Sequence, residues 1–402
     1  MRINDTNGIS KLDLKRQNRM HILRLLRNNG PTSRIDIARE IGITKAAVTI
    51  ISNEMISEGI LYEKGEAQPR ARQATRGRKK ILLDVDDTYR LGLGLTVDGC
   101  MVTMGLCTLR GRPVERQTAR IRPDCSAEQL LGTIREMYAE LSYKNDLKTG
   151  TVAGLGVCVS EPWHPLMGVT RDEYGQADYS ALEKALSEFI QLPMVFGSVA
   201  DGLAVAAIDY HPDGEQPPVN LVVMRADDNL ECAVAVGREL YRGSLGRPAL
   251  SRLSEGRLGA LDPAAVSRTI QRLYSEASPE LLAQCGSSLQ ELTRLFHEET
   301  FCSGDPAVTA ALNEIEEAYL WVLESLMAFY APDRIVLFGQ DAVKRPLQNA
   351  ISRFNRRYPK VKYPQLKDEN DPAVFDPIAP EDCCRAAAAL ATRAFFINRG
   401  GY

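Results

Sequence analysis

Between Leu14 and Gly59 apolar residues recur three and four positions apart, the spacing that lines one face of an α-helix. Met20, Ile22, Leu23 and Leu26 form a first amphipathic run that Gly30-Pro31 stops. A second run starts at Ser33, where the hydroxyl is placed to accept a backbone N–H while Asp36 reaches back, and Ile35, Ala38 and Ile41 form its stripe. Gly42 permits a sharp turn, and Thr44 offers an oxygen to cap a third helix. There Val48, Ile51 and Met55 recur at i, i+3 and i+7 and are expected to face a small core, leaving Lys45, Ala46, Thr49 and Asn53 outside. Ile60 to Lys64 and Lys80 to Val85 are short apolar runs that suit two paired wing strands. Residues 1–85 therefore read as an α+β winged helix-turn-helix.

Beyond residue 85 the pattern changes to alternating strands and helices. Leu91 to Leu109 reads as strand, turn and strand, Ala127 to Tyr143 as a helix, and Val152 to Ser160 as a buried strand. Tyr179 to Gln191 and Ala200 to Asp209 read as helices on either side of a strand at Met194 to Gly197. Leu221 to Arg225 and Cys232 to Val236 read as paired strands, followed by a long helix from Ala307 to Tyr330 with Leu312, Ile315, Tyr319, Val322 and Leu326 along one face. A strand at Ile335 to Phe338, a helix at Ala342 to Phe354 and an alanine-rich helix at Pro380 to Phe396 close the chain. This order predicts an α/β body of two lobes around a cleft over residues 86–402.

Charge sharpens the division. Residues 1–80 carry 17 Lys+Arg against 8 Asp+Glu, and the remainder carries 32 against 44, so a basic head sits on an acidic body within a chain of net charge -3. Such a head suits a polyanion. Lys45, Ala46, Ala47 and Thr49 are candidates for base-edge readout in a major groove, Ser33 and Arg34 for backbone or minor-groove contact, and Thr44 for a further DNA contact. Arg76 and Arg78, in the loop with Arg70, Arg72, Lys79 and Lys80, are candidates for phosphate or minor-groove contact; a solvated linker is the competing reading. The nine cysteines show no disulfide spacing, and no apolar run reaches the ~18 residues that span a bilayer, which points to the cytoplasm and to no membrane partner.

The chain resembles the ROK family of repressors and sugar kinases. The head carries the likeness in Gly30-Pro31-Thr32-Ser33-Arg34-Ile35-Asp36-Ile37-Ala38, in Ala46-Ala47-Val48-Thr49 and in Thr75-Arg76-Gly77-Arg78. The body carries it in Pro332-Asp333-Arg334-Ile335-Val336-Leu337-Phe338-Gly339 and in Gly237-Arg238-Glu239-Leu240-Tyr241-Arg242-Gly243. The resemblance implies a two-lobed actin-like, ribonuclease H-like body, a homodimer or dimer of dimers on a double-stranded DNA operator, and a small-molecule effector such as a sugar, sugar phosphate or acidic metabolite.

Family motifs of phosphotransfer and metal binding are absent at the matching places. Kinase members carry Asp-x-Gly-Gly-Thr where this chain has Gly94-Leu95-Thr96-Val97-Asp98, and an Asn-Asp pair with the catalytic base where it has Gly197-Ser198. The family's zinc loop has no counterpart in Ala249 to Gly259, which contains neither His nor Cys. These departures predict a non-enzyme with no cofactor and no metal, against the alternative of an active sugar kinase with a DNA-binding head. Glu161, Trp163, Ser198, Asp201, Arg225 and Arg247 remain as candidate effector contacts, the arginines because guanidinium groups suit anions.

Overall fold

The computed structural model describes residues 11–66, 80–122, 124–145, 147, 150–160, 163–172, 176–211, 216–226, 230–241, 306–339, 341–358, 373–375 and 383–402. The head comprises α1 (Lys11–Asn29), β1 (Thr32–Ser33), α2 (Arg34–Ile41), α3 (Lys45–Ser57), β2 (Leu61–Glu66) and β3 (Ile81–Val85). The wing is a three-stranded sheet in the order β1-β3-β2, one strand more than the two expected. Ile22, Leu23 and Leu26 of α1 meet Ile37 and Ala38 of α2 and Val48, Ile51 and Met55 of α3 in one buried cluster. The stripe of α2 differs from expectation, because Ile37 is fully buried while Ile35 is 46% exposed. In an eight-residue helix either isoleucine fits a 3.6-residue period, and the packing of α1 and α3 decides between them.

The body repeats one topology twice. Its first sheet contains β4 (Leu91–Asp98), β5 (Met101–Cys107), β6 (Pro113–Arg120), β7 (Val152–Val159) and β10 (Met194–Gly197), in the order β10-β7-β4-β5-β6. A small hairpin of β8 (Thr170–Arg171) and β9 (Ala177–Asp178) stands apart from it. The second sheet contains β11 (Leu221–Ala226), β12 (Leu230–Val236), β13 (Glu239–Leu240), β14 (Arg334–Gly339) and β15 (Ala373–Phe375), in the order β13-β12-β11-β14-β15. In each, three antiparallel strands are extended by two parallel ones beside the first strand. Two such sheets are the two lobes that the strand and helix order predicts. The α4 (Ala127–Asn145) and α5 (Ser180–Ser187) helices cover the outer face of the first sheet, and α7 (Pro306–Tyr330) and α8 (Asp341–Arg357) cover that of the second.

Between the sheets lie α6 (Val199–Asp209) and the alanine-rich α9 (Cys383–Phe395). Glycines in β4 and β7 make room for α9. A Cβ at Gly94 would fall 1.9 Å from the Cys384 carbonyl oxygen, and one at Gly156 would fall 1.8 Å from that of Ala387. Small residues on strand and helix thus allow backbone to approach backbone, and wider side chains there have nowhere to go.

Candidate nucleic-acid interface

The α3 helix begins where the sequence predicts. Thr44 is its N-cap, accepting the Ala47 N–H through Oγ1 at 3.2 Å, and Gly42 supplies the left-handed turn (φ 72°) that separates α3 from α2. With Val48, Ile51, Ser52 and Met55 buried, the opposite face presents Ala46, Asn53 and Ser57 to solvent, with Lys45 at its N-terminal margin. Ile50, at 63% exposure, also belongs to this face. The sequence reading omitted it, although its phase, one position before the buried Ile51, points outward. A positive helix N-terminus and Lys45 suit phosphate oxygens, and a narrow face of small side chains suits a groove.

Two of the contact candidates have other roles. Ser33 is buried; its Oγ accepts the Asp36 N–H as the cap of α2 and donates to the Asp36 carboxylate at 2.5 Å. That donation, joined by Lys80, holds the Asp36 carboxyl below the usual carboxylate range despite partial burial. Arg34 spans three elements: Nε donates to Ser52 Oγ at 3.1 Å, Nη2 to Asn53 Oδ1 at 3.0 Å and Nη1 to Glu63 Oε1 at 3.0 Å. Ser33 and Arg34 thus position α2, α3 and the wing. Arg76 and Arg78 lie outside the described residues.

The head is fastened to the body through α1. Arg19 donates through Nε to the Gly400 carbonyl at 2.8 Å and through Nη1 and Nη2 to Glu58 at 2.8 and 2.5 Å, with its guanidinium 4.1 Å from the centre of the Tyr402 ring. Arg27 Nη1 reaches Asp209 Oδ2 at 2.8 Å, and Arg393 of α9 holds both oxygens of the same carboxylate. Leu109, Ala153, Phe396 and Ile397 of the body complete the apolar cluster of the head. Asp209 ends α6 and Ser198 caps the other end of that helix, so α6 runs from the interlobe cleft to the foot of the head.

In the cleft the effector candidates are engaged locally. Ser198 and Asp201 form a reciprocal capping box, Asp201 N–H to Ser198 Oγ and Ser198 N–H to Asp201 Oδ2, both 3.1 Å. Trp163 is buried and donates Nε1 to the Gly99 carbonyl at 2.9 Å, so it does not present the open face that stacking on a sugar ring needs. Arg225 is buried and bridges the lobes: Nη2 lies 2.6 Å from Asp98 Oδ2, at the end of β4, and Nη1 lies 3.8 Å from Glu231 Oε2, in β12. Glu231 in turn accepts the Ala200 N–H of α6 at 3.1 Å. The cation expected to meet an anionic effector is thus neutralised by two carboxylates of the chain. Glu161 and Arg247 lie outside the described residues.

At Gly94 any side chain would collide with the backbone of α9. Among the described residues no group of three or more His, Cys, Asp and Glu is placed to hold a metal ion, and no helix is long and apolar enough to cross a membrane.

Residues 15–62 match the family described as winged helix-turn-helix DNA-binding. The xylose repressors of Caldicellulosiruptor bescii and Staphylococcus xylosus are each 21% identical to this chain, over 242 and 239 residues. These matches cover 58% and 57% of this chain, which spans 57% and 58% of the length of the two repressors. A solved ROK family transcriptional regulator, a homologue of the E. coli MLC protein, superposes with a TM-score of 0.62 at 16% identity, covering 96% of this chain and 97% of its own. The chain has the fold of a ROK family transcriptional regulator. A ROK family glucokinase from Streptomyces griseus, solved with glucose and AMPPNP, superposes with a TM-score of 0.52 at 16% identity, covering 76% of this chain and 100% of its own. The fold of the body is thus common to a regulator and a kinase, and the likeness extends over 96% of this chain for the regulator and 76% for the kinase.

Proposed function

We propose that this chain is a sequence-specific DNA-binding transcriptional regulator, a repressor, whose ROK body pairs two copies and no longer transfers phosphate. One observation carries the reading: a capped α3 presents a face of Ala46, Ile50, Asn53 and Ser57 with Lys45 at its edge, on a basic domain whose apolar core is continuous with the body. In a two-fold dimer the paired α3 helices would meet successive major grooves, so the operator would be palindromic, with half-sites about one helical turn or a multiple apart. Loss of phosphotransfer is supported by the collision at Gly94 and by the Asp98–Arg225–Glu231 bridge within the cleft.

Because the chain's own charges hold the cleft together, an effector would act by parting or tightening that bridge. Movement of α6 would then reach Asp209 and, through Arg27, the head. The test is a mobility shift with the DNA flanking the chain's own coding sequence, run beside an assay for sugar phosphate formation from ATP and a panel of hexoses. A retarded band with paired footprints and no sugar phosphate is expected. Robust sugar phosphate formation, or no shift even at low salt, overturns the proposal.

A further inference from the structure

Ile50 is an apolar side chain left in water at the middle of the outward face of α3, although Ile51 beside it is buried. Exposure of a β-branched residue forgoes the burial that drives folding, and what sets Ile50 apart from other exposed apolar residues such as Leu12 and Ile35 is its place on the outward face of α3. The polar neighbours are drawn into local hydrogen bonds. Thr49 Oγ1 donates to the Lys45 carbonyl at 2.8 Å, Ser57 Oγ donates to the Glu54 carbonyl at 2.7 Å, and Asn53 Oδ1 accepts from Arg34 at 3.0 Å. Between these engaged polar groups, the outward face of α3 carries the Ala46 methyl and the Ile50 side chain at its centre. In a major groove the one apolar base mark is the 5-methyl group of thymine.

We propose that Ile50, flanked by Ala46, is a specificity-determining residue that reads thymine methyl groups, so that each half-site of the operator carries A·T pairs under the middle of α3. This inference rests on the DNA-binding function proposed above and adds the base class that the helix recognises.

The test uses the full-length protein. Duplexes are selected from a random library, and the thymines of each half-site are then replaced singly by deoxyuridine, which pairs identically but lacks the methyl group. Wild-type affinity is expected to fall about fourfold for a critical methyl, the fold-change that corresponds to the transfer energy of one buried methyl-sized group. Ile50→Ala is expected to bind the selected duplex more weakly, to ignore the uridine substitution and to keep the wild-type salt dependence, because no charge is removed. Its exposed position predicts an unchanged melting temperature, which checks folding, and Ile50→Val is expected to retain part of the uridine sensitivity. Tolerance of uridine at every position by the wild type, or undiminished sensitivity in Ile50→Ala, overturns the thymine reading while DNA binding stands. Failure to enrich any duplex overturns both.

Discussion

Asp209→Asn tests how firmly the head and body are joined. The Asp209 carboxylate is buried at the end of α6, with Arg27 of α1 on one side and Arg393 of α9 on the other. Burial alone pushes its pKa up, but the two guanidinium groups outweigh that and hold it below the ordinary value. Burial lowers Arg27 to about 10, so at neutral pH all three groups are charged. Removing the carboxylate charge leaves two buried cations with only Glu239, 3.7 Å from Arg393 Nη1, as a remaining counter-charge, a change expected to cost about 3–5 kcal/mol. Arg27→Met leaves the Arg393–Asp209 pair in place, and is expected to cost only about 1.5–3 kcal/mol, the loss of one charged hydrogen bond.

Scanning calorimetry separates these cases. Because the head core is continuous with Phe396 and Ile397, the wild-type head and body are expected to melt together. In Asp209→Asn the head is expected to melt first, with its midpoint lower by roughly 6 °C or more. A midpoint within about 1 °C of the wild type, or a smaller loss than in Arg27→Met, would refute the reasoning.

Further outcomes follow from other parts of the molecule. Gly94→Ala and Gly156→Ala each drive a methyl into α9 backbone and are expected to cost more than the ~1–3 kcal/mol of ordinary overpacking. Gly132→Ala, in open space on α4, is expected to stabilise by about 0.5–1 kcal/mol; thermal melts and soluble yield decide both. Arg19 holds the Glu58 carboxyl below its usual value of 4.5 despite partial burial. The stability from this pair is therefore complete above pH 4.5 and lost as pH falls through the lower folded value, and urea midpoints from neutral to acid pH should show a decline that Glu58→Gln flattens. Lys45→Ala is expected to lower the slope of log K against log salt by about 0.9 without changing base preference, as measured by fluorescence anisotropy on a selected duplex.

The helices of the head are legible in the sequence because caps and turns mark their ends: Ser33, Gly42 and Thr44 act as their chemistry predicts. What pattern alone does not settle is which of two equivalent residues faces the core, and Ile35 and Ile37 exchange roles for that reason. In the body, strands such as β4, β7 and β11 announce themselves as apolar runs. The edge strand β6, Pro113–Arg120, alternates exposed and half-buried polar residues and passes for a loop. The glycines of β4 and β7 look unremarkable in one dimension, because the α9 helix that requires them lies more than 200 residues away in the chain. The surroundings of the site candidates are hidden in the same manner. Arg34, Trp163 and Arg225 have side chains suited to ligands, and only the folded chain brings up the partners that occupy them.

The central claim is that this molecule meets its ligand through α3 and not through a nucleotide site between the lobes. Hydroxyl-radical footprinting of the full-length protein tests it most directly, comparing side-chain oxidation alone, with a selected duplex and with Mg-ATP. Duplex is predicted to protect the segment from Lys45 to Ser57, Ile50 above all, while Mg-ATP leaves the peptides containing Asp98 and Arg225 unchanged. Protection of those cleft peptides by Mg-ATP, with α3 equally oxidised in the presence and absence of duplex, would contradict the account.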